Sequence, residues 1–156
     1  LRIRGHDSET SNYYLYGSGL TDTDALFEFD GDKINTIYEG KYNPSTWSIV
    51  QKIGDEVFFV TGNKICRYIN KQLIPITQIN DPMFRCQIFG RNKNDIILSM
   101  LDGIAHFNGK DIQYLLSFPF RALSLMDGVI FEKDVFLLAI DFEKNQNLIF
   151  HGQLIN

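Results

Sequence analysis

Apolar and polar positions alternate along this chain in short runs, broken by clusters of Gly, Asn and Asp. In the middle of the sequence the runs are Trp47–Ile53, Glu56–Thr61, Lys64–Asn70 and Leu73–Ile79, then Phe84–Gly90, Asp95–Leu101, Gly103–Asn108 and Asp111–Phe118. They are rich in Val, Ile, Phe and Tyr, and their period is two: Ile104 and His106 face one way, Ala105 and Phe107 the other. That combination predicts β-strands. Nowhere does an N-cap precede three turns of apolar stripe, so no helix is predicted. Earlier strands are expected at Leu1–Gly5, Tyr13–Gly17, Ala25–Asp30 and Lys33–Glu39. Later ones run from Arg121 through Asp134–Asp141 and Asn147–His151, and stop where a fourth strand would begin. Asp30-Gly31 and Asn108-Gly109 predict two-residue hairpin turns with positive φ at both central positions.

The strands come in sets of four, and three markers keep the same beat. Apolar anchors at Phe29, Ile69, Phe107 and Phe150 are followed by turn residues and lie 40, 38 and 43 positions apart. Asp55, Asp95 and Asp134 each open an apolar run at intervals of 40 and 39. Trp47, Phe84 and Phe120 follow prolines at 44, 82 and 119. A unit of about 40 residues holding four short strands cannot bury its apolar faces alone and must stack on neighbours. The units expected are 1-40, 47-79, 84-118 and 121-156.

Four strands per unit of this length is the pattern of a β-propeller blade. The segment Ile88-Phe89-Gly90-Arg91-Asn92-Lys93-Asn94-Asp95-Ile96-Ile97-Leu98-Ser99, followed by Gly103-Ile104-Ala105-His106-Phe107-Asn108-Gly109, resembles blades of bacterial regulator-type and extracytoplasmic propellers. The resemblance covers 84–118 well and 12–152 loosely. It implies an all-β propeller of about 3.5 to 4 blades, part of a larger ring. It also implies a periplasmic or cell-surface setting. Glu56-Val57-Phe58-Phe59-Val60-Thr61-Gly62-Asn63-Lys64-Ile65-Cys66-Arg67-Tyr68, with Asp24-Ala25-Leu26-Phe27, is similar to haemopexin-like blades, whose rings have four. The Trp-Asp ends, Gly-Gly pairs and Asp-boxes of other propeller subfamilies are missing.

Composition narrows the partners. The chain has 156 residues, 44% hydrophobic and 22% charged, with a net charge of -4. That is one domain's worth of core-forming sequence. A mildly acidic chain without a basic block argues against nucleic acid. The longest apolar run, Val135 to Ile140, is far too short for a membrane helix, which needs about 20 residues. Cys66 and Cys86 are too few for a zinc motif and sit among strand residues, where buried thiols outside a disulfide are expected. The start at Leu1, without Met or a secretory pattern, reads as an excised domain or processed product.

Candidate chemistry is sparse. His6, His106 and His151 fall in different units, the last two out of register by two positions, and read as strand or turn residues rather than metal ligands. Thr21-Asp22-Thr23-Asp24 holds two carboxylates in a loop and reads as a solvated turn. Asp55, Asp95 and Asp134 are expected to accept backbone N–H groups at strand starts, so no catalytic residue, cofactor or metal is assigned. Binding is the better expectation. In a propeller the loop before each first strand and the loop between second and third strands share one face around the central channel. Trp47, Phe84, Arg85, Phe120 and Arg121 would enter that face, with Tyr42 in the elaborated Gly40–Thr46 connection and a second elaborated loop at Phe142–Gln146. Arginine forks suit carboxylates, and aromatic rings suit interfaces. The reading is a non-catalytic binding scaffold within a larger sensor or surface protein. It would take a protein, small-molecule or glycan ligand at the channel mouth and self-associate by its edges if isolated. The alternative is a propeller hydrolase or lyase, such as a glycan-active one, with acids at the blade mouth.

Overall fold

A computed structural model describes residues 2–6, 12–18, 23–41 and 48–153. Among these the regular structure is entirely β, in four antiparallel sheets. The first sheet holds β1 (Arg2–His6), β2 (Tyr13–Ser18), β3 (Thr23–Phe29) and β4 (Ile34–Lys41). The second holds β5 (Ile49–Ile53), β6 (Glu56–Thr61), β7 (Lys64–Ile69) and β8 (Gln72–Gln78). The third holds β9 (Phe84–Asn92), β10 (Asp95–Met100), β11 (Gly103–Phe107) and β12 (Ile112–Ser117). The fourth has three strands, β13 (Leu123–Ile130), β14 (Asp134–Asp141) and β15 (Gln146–Gln153). In every sheet the strands pair in chain order, each with its sequence neighbours.

The chain divides into two compact units, Leu1–Asp81 and Pro82–Asn156. In the first, two sheets pack face to face over Tyr14, Leu26, Val50, Phe59 and Cys66. Rings of Tyr14, Phe59 and Tyr68 meet edge to face there, 5.5 to 6.0 Å apart, an arrangement aromatic quadrupoles favour. In the second unit the core is Phe89, Ile97, Ile104, Leu125, Leu137 and Ala139. Gly128 admits the Phe89 ring: a Cβ at this position would stand 3.0 Å from Phe89 and 2.6 Å from Leu137. Within each unit the sheets meet along their first strands, β1 with β5 and β9 with β13.

The turns depart from expectation in an instructive way. Asp30-Gly31 and Asn108-Gly109 do not close two-residue turns. Their strands pair at Phe29 with Ile34 and at Phe107 with Ile112, leaving four-residue loops. The reason is the side chain: Asp30 Oδ1 accepts the N–H groups of Asp32 and Lys33, and Asn108 Oδ1 those of Lys110 and Asp111. Only the glycines, at φ 98° and 91°, enter the left-handed region. The two-residue turn with both residues left-handed occurs instead at Asn70-Lys71, at φ 51° and 62°.

One irregularity recurs. Each four-stranded sheet has a bulge between its third and fourth strands, at Leu26/Phe27, Ile65/Cys66 and Ile104/Ala105. Cys66 and Cys86 are both buried and neither is in a disulfide, as expected. Burial pushes the Cys66 thiol up, against opposing help from Thr61 and Lys64.

Candidate binding site

Two features of the sheets carry chemistry. The first is a diagonal contact on one face. It joins the residue at the start of the second strand to a third-strand residue whose directly paired position lies two residues further along. In the second sheet Arg67, paired with Phe58, bonds Glu56. In the third His106, paired with Ile97, places Nε2 2.8 Å from Asp95 Oδ1. In the fourth His151, paired with Phe136, places Nε2 2.7 Å from Asp134 Oδ1. In the first Glu28, paired with Tyr14, accepts from Asn12 Nδ2 at 2.8 Å.

This geometry revises four expectations. His106 and His151 are in register with one another; the mismatch arises from counting along the chain, since the β14–β15 hairpin of the last sheet is longer than β10–β11. The anchors Ile69 and Phe150 are displaced from the positions of Phe29 and Phe107. Asp55 is not the partner of Asp95 and Asp134: it lies exposed in the β5–β6 turn, and Glu56 takes the equivalent place. Asp95 and Asp134 receive side chains rather than turn amides. Burial raises the Asp95 pKa, but hydrogen bonds and charge from Arg91 and His106 outweigh it and hold the carboxyl below its ordinary range. His151 and Gln153 do the same for the exposed Asp134. Arg91 also donates to the Glu132 carbonyl at 2.6 Å, so it spans the two sheets of its unit. Beside it a cleft of about 200 Å³ opens between those sheets, lined by Asp95, His106, Lys133, Asp134 and Gln153 with Ile97 at its wall.

The second feature is a corner of the 82–156 unit. Phe84 pairs with Met100, Leu101 N donates to the Met83 carbonyl at 2.7 Å, and Arg121 N donates to the Leu101 carbonyl at 2.8 Å. Phe142 N then donates to Ala122 at 3.2 Å. The segments before the first strands and the turns between second and third strands therefore share one end of this unit. Arg85 and Arg121 are both exposed there. The Arg85 guanidinium is held below its ordinary pKa by partial desolvation and by the charge of Arg121 beside it. Arg121 lies over the Phe120 ring at 5.0 Å, and Phe120 is 56% exposed. Phe84 is turned inward, 8% exposed, and supports the corner rather than lining it.

Arg85, Phe120 and Arg121 are thus brought together, and Phe142, 60% exposed, joins them. Its backbone bond to Ala122 is a tertiary fact with no local sequence signal, although its loop was singled out by length. Tyr42 and Trp47 lie outside the described residues, as does Asp22. Ser48, next to Trp47, donates its hydroxyl to buried Asp24 at 3.3 Å and so ties the two sheets of the first unit. Among the described residues no three His, Cys, Asp or Glu side chains gather in a metal-binding group.

Comparison with protein-family models, with curated proteins and with solved structures finds no match to this chain.

Proposed function

We propose that the chain is a β-propeller segment of a larger, extracytoplasmic sensor or surface protein, and that it serves as a non-catalytic binding scaffold. One register position supports this reading above all others. Leu26, Ile65, Ile104 and Ile149 hold the same third-strand place, two residues before the clasping side chain of their sheets. The first three are 0%, 0% and 4% exposed; Ile149 is 72% exposed. The face that is covered in three sheets is bare in the fourth, where Val129, Phe136, Leu138 and Ile149 form an apolar surface. Such a face suits a further blade.

Binding then falls to the end where Arg85, Phe120, Arg121 and Phe142 meet. A hydrolytic reading would need two carboxylates flanking a substrate. The acids at this end of the unit have other work: Asp102 accepts from Tyr114 Oη at 2.9 Å, and Asp141 Oδ1 accepts the N–H groups of Glu143 and Lys144.

Sedimentation velocity tests the segment reading. The chain is expected to self-associate with rising concentration, and Leu138→Lys or Ile149→Lys to shift it toward monomer with an unchanged far-ultraviolet spectrum. A wild-type chain that stays monomeric at high concentration would overturn it.

A further inference from the structure

We infer that the corner formed by Arg85 and Arg121 binds an oxyanion, a carboxylate or phosphate group carried by a ligand with an apolar part that reaches Phe120 and Phe142. The inference rests on the reading of this corner as a binding surface and names the chemistry it selects.

The backbone forces the two cations together. Phe84 is fixed opposite Met100, Leu101 is bonded to Met83, and Arg121 is bonded to Leu101, so neither arginine can leave without breaking sheet hydrogen bonds. Like charges held side by side repel. Among the described residues neither guanidinium makes an ion pair, although Arg67 pairs with Glu56 and Arg91 with Asp95. The side chains here do not answer the charge that the backbone concentrates.

Two local irregularities fall at the same place. Cys86, at φ 63°, sits in a bulge directly after Arg85. Arg121, at φ 61°, is the third residue of a turn that Ala122 N closes on the Pro119 carbonyl at 2.9 Å. The bulge and the turn hold both arginines at this end of the unit, and each guanidinium is a planar fork able to give paired N–H bonds to one oxyanion. The exposed rings of Phe120 and Phe142 supply an apolar rim. An oxyanion neutralises the repulsion and fills both forks; a neutral ligand does neither.

The test follows the arginine Nε–H resonances in ¹H–¹⁵N spectra of the full chain during titration with inorganic phosphate and with D-glucuronate. Glucose is the neutral control, and sodium chloride matches ionic strength. Saturable shifts of the Arg85 and Arg121 signals with phosphate, glucuronate or both are expected, and the responding probe tells phosphate from carboxylate. Arg85→Gln and Arg121→Gln should each weaken binding about tenfold or more. Arg85→Lys and Arg121→Lys, which keep the charge but lose the fork, should weaken it less; they serve if a glutamine variant fails to fold. Shifts that chloride reproduces, binding that survives all four substitutions, or no saturable shift would overturn the inference. Glucose binding as well as glucuronate would overturn it too, while leaving the corner a binding surface.

Discussion

Asp95 shows what a single residue settles. It lies at the first position of β10, 18% exposed at its side chain, and receives both Arg91 and His106. Its carboxyl is held below the unfolded value, so the stabilisation it gives is fully present above the unfolded carboxylate pKa. It is lost as pH falls through the folded one. Asp95→Asn should therefore lower stability at pH 7 by about 1–3 kcal/mol. The variant should also lose less than the wild type on acidification to pH 3; urea denaturation at the two pH values measures both. Equal losses in the two proteins would mean that Asp95 titrates no differently folded and unfolded. Arg85 and Arg121 stood out because each directly follows a phenylalanine that lies just after a proline, a local feature. The Asp95–His106 and Asp134–His151 pairs were not, because their partners are 11 and 17 residues apart and their common geometry exists only once strands are paired.

At the scale of elements, alternation predicted nearly every strand to within a residue or two, since a strand with one face buried leaves a period of two in its sequence. What alternation cannot state is how sheets approach. Gly128 is the clearest case: no pattern distinguishes it from a turn glycine, yet it sits mid-strand against Phe89 and Leu137. Gly128→Val should force β13 away from β9 and cost about 1–3 kcal/mol. Hydrogen exchange should show the loss of protection in β9 and β13 rather than in β11. The turns were misread for a different reason. The dipeptides Asp-Gly and Asn-Gly favour tight hairpins, but here the carboxylate and amide capture two backbone N–H groups each, and that local bond outweighs the dipeptide preference.

For the whole molecule the two units supply their own reporters, since Cys66 lies in the first and Cys86 in the second, both buried. Phe59 is fully buried in the core shared by the first two sheets. Phe59→Ala should cost about 3–5 kcal/mol. In a thiol-labelling time course under mild denaturant it should speed modification of Cys66 more than that of Cys86. Equal acceleration would show that the chain opens as one cooperative body. The bare face of the last sheet was not legible, because alternation marks which side of a strand is apolar and not what covers it. The turns between second and third strands have a consequence of their own. They are two residues long at Gly62–Asn63 and Leu101–Asp102 but four at Phe142–Asn145, while the diagonal partners keep their places. Length at these tips is decoupled from strand pairing. A foreign peptide spliced between Lys144 and Asn145 would be displayed at the end of the unit that carries the two guanidinium groups while leaving the Asp141 bonds to Glu143 and Lys144 in place, which makes this hairpin a natural graft point for engineering new recognition.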